Sequence, residues 1–332
     1  MRFTWTIGLL VMPAISHALA QVAGGYVSSG ADCAQLNETV VAQVAKGQLA
    51  LAESMLSKAA ASGLDRAGDR CAGFVLNNMA ALLSIQGRIA EAEGYAERSL
   101  RILEAKYPPT DLTLLRPLSV LASTRFEQGK IAGAREAFRK MESIRAESPA
   151  DRALVHEIGA VLLHAQGRKA EAESEYLLTF KAWEEAGCGD TANAGSVFNS
   201  LGALYVNEQR LEDARRAVDR ALTIFSRAKD AVPMDRIKAL HVMGVVQARQ
   251  GAWQESEQTL SEALSMADRE VWVEPVVLRS ILVAYAYVLR KNHHGREARS
   301  IKARAAGIHG DAARSAIVDV TELLAEPEPA KK

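Results

Sequence analysis

The sequence predicts an all-α chain, a solenoid of about seven stacked antiparallel helix hairpins, on three observations. The blocks ALLSIQGRIAEAEGYAERSL, ASTRFEQGKIAGAREAFRKM, AVLLHAQGRKAEAESEYLLTF, GALYVNEQRLEDARRAVDRAL, GVVQARQGAWQESEQTLSEAL and AYVLRKNHHGREARS superimpose without gaps. Their turn residues Gly87, Gly129, Gly167, Gln209, Gly251 and His293 are spaced 42, 38, 42, 42 and 42 residues apart, the signature of a repeat architecture. Small side chains flank every turn: Ala80, Ala122, Ala160, Gly202, Gly244 and Ala286 lie seven before it. Ala52, Ala92, Ala134, Ala172, Ala214, Ser256 and Ala298 lie five after, as two closely approaching helices require. The length is the third observation, because 332 residues with 48% hydrophobic side chains exceed what one core organises, whereas a stack needs no central core.

The elements follow in chain order. Residues 1–20 read as a cleaved export signal: Arg2, an apolar run broken by Pro13, and Ala18-Leu19-Ala20 before Gln21, the expected mature start. The apolar run is shorter than a spanning helix needs, which sets this reading above an uncleaved anchor, and no lipid-attachment cysteine follows. Residues 21–33 form an N-terminal segment, and residues 34–308 form the hairpins, including a fainter copy turning at Gly47. Pro109, Pro149, Pro233 and Pro275 fall between hairpins, where proline starts a new helix. Before the fifth copy Gly187-Cys188-Gly189 takes that place, which is expected to loosen the stack there. Phe138, Tyr176, Val218 and Leu260, nine after their turns, are expected in the core. Residues 309–325 carry enough apolar side chains to cap the last hairpin, and residues 326–332, EPEPAKK, read as a disordered tail.

This pattern resembles the tetratricopeptide repeat, in the 42-residue variety seen in kinesin light chains. The small-residue positions, the turn glycine and Leu76-Asn77-Asn78-Met79-Ala80 carry the resemblance, which spans most of the chain. Gln209, His293 and Ser256 depart from it mildly. The resemblance implies a right-handed superhelix whose concave side is lined by the first helix of each hairpin and receives extended peptides.

Forty basic residues against forty acidic ones give no footprint for nucleic acid or an anionic membrane. A search for chemistry yields no catalytic residue, no metal site and no cofactor. The Gly187–Ala192 stretch mimics a dinucleotide fingerprint but has no strand before it. His156 and His164 are eight apart where a zinc helix needs four, and the adjacent His293 and His294 would make a poor metal pair. Trp253 is expected between hairpins. In an exported protein Cys33 and Cys71, at near-equivalent positions of successive hairpins, are candidates for a disulfide, with three separate thiols as the alternative. Cys188 is the odd one.

Groove positions carried across at fixed offsets before each turn select polar candidates: Asn77, Arg116, Ser119, His164, Asn199 and Asn207, then Lys238, His241, Arg249, Tyr287, Arg290 and Lys291. Glu127 and Glu157 oppose them, so the expected surface is solvated, mildly basic and suited to an acidic protein or peptide. Asn78 matches the peptide-contacting asparagine of kinesin-light-chain repeats, but later copies lack it. The expected function is an exported, non-catalytic binding scaffold, periplasmic or secreted and bacterial, without membrane insertion once the signal is removed. The alternative is a structural subunit that assembles an envelope complex through its convex face or ends.

Overall fold

The computed structural model describes residues 31–45, 48–61, 70–229, 231–270, 273 and 275–308. The expected signal, Gly47, the cap and the tail lie outside the described residues. Within these bounds the regular structure is helical and falls into two compact units, residues up to Gly189 and residues from Asp190. The boundary coincides with the segment that lacks a linking proline.

The first unit contains four hairpins: α1 (Ala31–Ala45) with α2 (Leu49–Ala59), α3 (Arg70–Ile85) with α4 (Ile89–Glu104), α5 (Leu115–Glu127) with α6 (Ile131–Glu142), and α7 (Pro149–Ala165) with α8 (Lys169–Glu185). The second contains three: α9 (Ala192–Asn207) with α10 (Leu211–Arg227), α11 (Pro233–Arg249) with α12 (Trp253–Ala267), and α13 (Pro275–Lys291) with α14 (Gly295–Ala306). Each helix packs most extensively on its hairpin mate, except α2, which packs equally on α1 and α3. Within each unit, every first helix after the first hairpin also packs on the second helix of the hairpin before it.

The turns are built alike. Gly87, Gly129, Gly167 and Gly251 have φ between 71 and 78°, and Gln209 and His293 adopt the same left-handed conformation at 60 and 66°. The next residue donates its amide back across the turn, as in Arg88 N to Leu83 O at 2.9 Å and Arg210 N to Tyr205 O at 2.9 Å. This bond closes the helix end. Gly187, with φ 73°, ends α8 by the same device, Cys188 N donating to Trp183 O at 2.8 Å. The glycine run is therefore a helix stop. Pro149, Pro233 and Pro275 each open a helix, where the missing amide is harmless.

The small residues seven before the turn are forced by contact. A Cβ on Gly202 would sit 2.4 Å from Val218 Cγ2, and one on Gly244 would sit 2.5 Å from Leu260 Cγ. Ser256 stands where the other copies carry alanine because its hydroxyl donates to Gly244 O at 2.6 Å. Tyr176, Val218 and Leu260 are buried as expected. Phe138 is only half-buried, because the residue across from its ring is Gly159.

Polar clasps join successive hairpins. Glu53, six after the first turn, accepts from Gln86 at 3.0 Å and pairs with Arg88 at 2.6 Å. Glu93, six after the next, accepts from Gln128 at 2.7 Å and pairs with Lys130 and with Arg125 at 3.1 Å. Burial opposes ionisation of Glu93, but these donors outweigh it and hold its pKa below the usual carboxylate value. In the second unit Glu257 accepts from Asn292 and meets His294 at 3.0 Å. Arg215 inverts the pattern and donates to Gln250 at 2.8 Å, while Glu212 accepts from the same side-chain amide.

Candidate functional site

The candidate side chains lie on the first helices of the hairpins, and each unit brings its own set together. In the first unit α3 carries Asn77 and Asn78, α5 carries Arg116, Ser119 and Glu127, and α7 carries Glu157 and His164. In the second, α9 carries Asn199 and Asn207, α11 carries Lys238, His241 and Arg249, and α13 carries Tyr287, Arg290 and Lys291.

The expected solvated face needs correction. Asn77, Asn78, Ser119, His164 and Asn199 are buried, and Lys238 and His241 are 3% and 0% exposed. The physical reason is close stacking: within each unit a first helix contacts the first helices beside it, and after the first hairpin also the second helix of the hairpin before it. Arg116, Asn207, Arg249 and Tyr287 are half-buried, and only Arg290 and Lys291 lie fully at the surface.

Several of these groups are held by the protein itself. Asn78 donates its amide to Asn37 of the preceding hairpin, which gives it a structural link in addition to its proposed contact role. Arg116 lies 3.9 Å from Asp151, whose carboxylate also accepts from Ser148. Tyr287 stacks edge-on to Trp253, centroids 6.0 Å apart, so Trp253 does bridge two hairpins. The Arg290 guanidinium lies 5.5 Å from the Tyr287 ring centre, and the Lys291 ammonium lies over both rings. His164 packs edge-on to Tyr176, and burial, assisted by Lys169, pushes its pKa down to about 4. Burial likewise pushes His241 to about 4, against a smaller opposing contribution from Ser280, whose hydroxyl is 3.2 Å from Nε2. Both imidazoles are neutral at pH 7.

What remains is a row of buried atoms with hydrogen-bonding capacity unspent. Asn77 Oδ1, His164 Nδ1, Asn199 Oδ1 and His241 Nδ1 meet no hydrogen-bond partner among the described residues. Leaving such a group unsatisfied costs about 1–3 kcal/mol, so each needs a reason to be retained. Sequence reasoning overlooked the small hydroxyls at the same offsets, Ser123, Ser196 and Ser280, although the offsets themselves point to them. It also missed Gln247, whose buried Oε1 is unsatisfied as well.

Residues 71–147 match the family model described as tetratricopeptide repeat. These residues carry tetratricopeptide repeats. No curated protein sequence matches it. Among solved structures this repeat chain is similar to the Cut9–Hcn1 hetero-tetramer of APC/C, with a TM-score of 0.62 and 12% identity, covering 95% of this chain and 53% of that one. It is also similar to a Rap protein complexed with Competence and Sporulation Factor (TM-score 0.59, 16% identity, 90% and 81% covered). A third relative in structure is BtubC (BKLC) from P. vanneervenii (TM-score 0.50, 19% identity, 75% and 96% covered). At these identities the likeness is one of fold. The chain spans about half the length of the Cut9–Hcn1 chain that it matches.

Proposed function

We propose that this tetratricopeptide-repeat protein is a non-catalytic scaffold that holds a protein or extended peptide partner along the first helices of its hairpins. The observation that carries the reading is that each unit sets polar side chains in a row along its first helices, from buried amides and imidazoles to the half-buried Arg116, Asn207, Arg249 and Tyr287 and the exposed Arg290 and Lys291. An Asn Oδ1 accepts from a peptide N–H, and a neutral imidazole nitrogen donates or accepts according to its tautomer. These are the groups that read a main chain. The Rap and Cut9 structures, both complexes with a partner, support the reading by analogy of fold. Net acidity of the partner has less support than the charge pattern implies, because Lys238 is buried and Arg116 lies beside Asp151.

The test is Asn199→Leu. It removes an acceptor that the protein leaves unsatisfied, so stability is expected to hold or rise while capture of the natural partner weakens by about tenfold or more. A normally folded Asn199→Leu protein with unchanged partner affinity would contradict the groove reading.

Export remains part of the proposal, supported by the layout of residues 1–20. It predicts a mature chain starting at Gln21 and a Cys33–Cys71 bridge. Cys71 is disulfide-bonded, whereas Cys188 is a thiol. The side chain of Cys33 lies outside the described residues. Peptide mapping of the exported protein without reduction is expected to recover Cys33 joined to Cys71; recovery of both as thiols would remove the bridge.

A further inference from the structure

The junction between the third and fourth hairpins departs from two patterns that most other hairpins keep. Eight before the turn, five other copies bury a large apolar side chain: Met79, Leu121, Leu201, Met243 and Tyr285. Here that position is Gly159. Six after the turn, the clasp of the first two hairpins uses Glu53 and Glu93 to hold the glutamine and cation of the next turn. Here the position is Arg135, facing Gln166 and Arg168. The inverted clasp of Arg215 is completed by Glu212, but the equivalent of Glu212 at this junction is Ala132.

Both departures open onto one place. A cleft of about 790 Å³ runs between α6 and α8 with α7 as its floor, lined by Gly159, Phe138, Arg135, Arg139, Gln166 and Arg168 among others. This is within the size range of ligand sites. Its apolar lining comes from Val155, Leu162, Leu163 and the half-buried Phe138 ring, which lies beside Gly159, whose added Cβ would be 3.0 Å from Phe138 Cζ. Leu178, on α8 one turn beyond the lining residue Glu175, is one of few exposed large apolar side chains, at 39%.

The charges in the cleft are unequally satisfied. Arg168 turns to Glu171 on its own helix, and His156 Nδ1 is held by Glu175 at 2.7 Å. Arg135 and Arg139 reach no carboxylate among the described residues, and the Gln166 side chain makes no hydrogen bond there. Glu142 is the one further acid in the lining.

We infer that this cleft is a second docking site, for an acidic amphipathic segment of a partner protein. A large apolar side chain would fill the space over Gly159, and a carboxylate would take the clasp position between Arg135, Gln166 and Arg168. The ligand would supply the two groups that most other hairpins carry in their own sequence. The site stands apart from the groove because α6 and α8 are second helices.

The test uses a fluorescein-labelled helical peptide with leucines along one face and glutamates along the other, and a control with lysine for every glutamate. The parent protein is expected to bind the acidic peptide in a salt-sensitive way and to prefer it to the control. Gly159→Leu combined with Arg135→Glu restores the residues of the other hairpins, so it is expected to raise the melting temperature and weaken the acidic peptide by about tenfold or more. Where crowding against Phe138 prevents folding of the pair, Arg135→Glu alone, at an exposed position, is expected to weaken binding in the same direction. Absence of binding to the parent at millimolar peptide, equal binding of the lysine control, or unchanged affinity in the folded variants would overturn the inference. So would loss of binding in Asn199→Leu, because that result would put the peptide in the groove.

Discussion

His164 and His241 show how one buried atom connects folding with pH. Their folded pKa values, near 4, lie below the roughly 6.5 of an exposed histidine. The unfolded chain therefore binds more protons between those values, and stability falls as pH drops through that window. For each histidine the linkage amounts to about 2 kcal/mol between pH 7 and 5. Carboxylates such as Glu93, with pKa values already lowered, act at more acid pH, so the decline above pH 5 is assigned to the imidazoles. Denaturant unfolding at pH 7 and pH 5 should show it, with His164→Gln flattening the response of the first unit and His241→Gln that of the second. A parent protein equally stable at both pH values would mean that these rings are solvated.

At the scale of the helix, the small residues five after each turn set how closely a pair can pack. Ala214 is fully buried, and its carbonyl lies 3.5 Å from where a Gly202 Cβ would stand. Ala214→Arg would force α10 away from α9. Overpacking costs about 1–3 kcal/mol, and a buried unpaired cation adds to it. Because α11 rests on α10, the damage is expected to spread beyond one hairpin. Hydrogen exchange should then report lost protection in α11 as well as in α9 and α10; a variant that melts like the parent would show that the helices do not meet there. This level of organisation was legible in the sequence, since glycine at a left-handed turn and a small residue at a helix crossing are each imposed by local sterics. Burial of Lys238 and His241 was not legible, because an offset from the turn identifies a helix face without saying how near the neighbouring helices stand. The cleft was written in Gly159 and Arg135, but these departures gain meaning only once the clasps formed by their counterparts are seen.

For the whole molecule, repetition explains both the stability and the sites. Identical turns and crossings build each unit by local contacts, which frees other positions for binding. Those positions are the places where the repeat is locally uneconomical: buried polar atoms without partners along the first helices, and a junction lacking its usual filler and clasp. The central claim is that the first helices hold the partner, and the most direct measurement is site-specific photo-crosslinking in the cell. A benzophenone side chain would be placed at Asn207 or Tyr287 on first helices, and for comparison at Arg216 or Arg299 on second helices of the same unit. The account predicts one shared partner linked from Asn207 and Tyr287 and absent from Arg216 and Arg299. Links confined to Arg216 and Arg299 would contradict it.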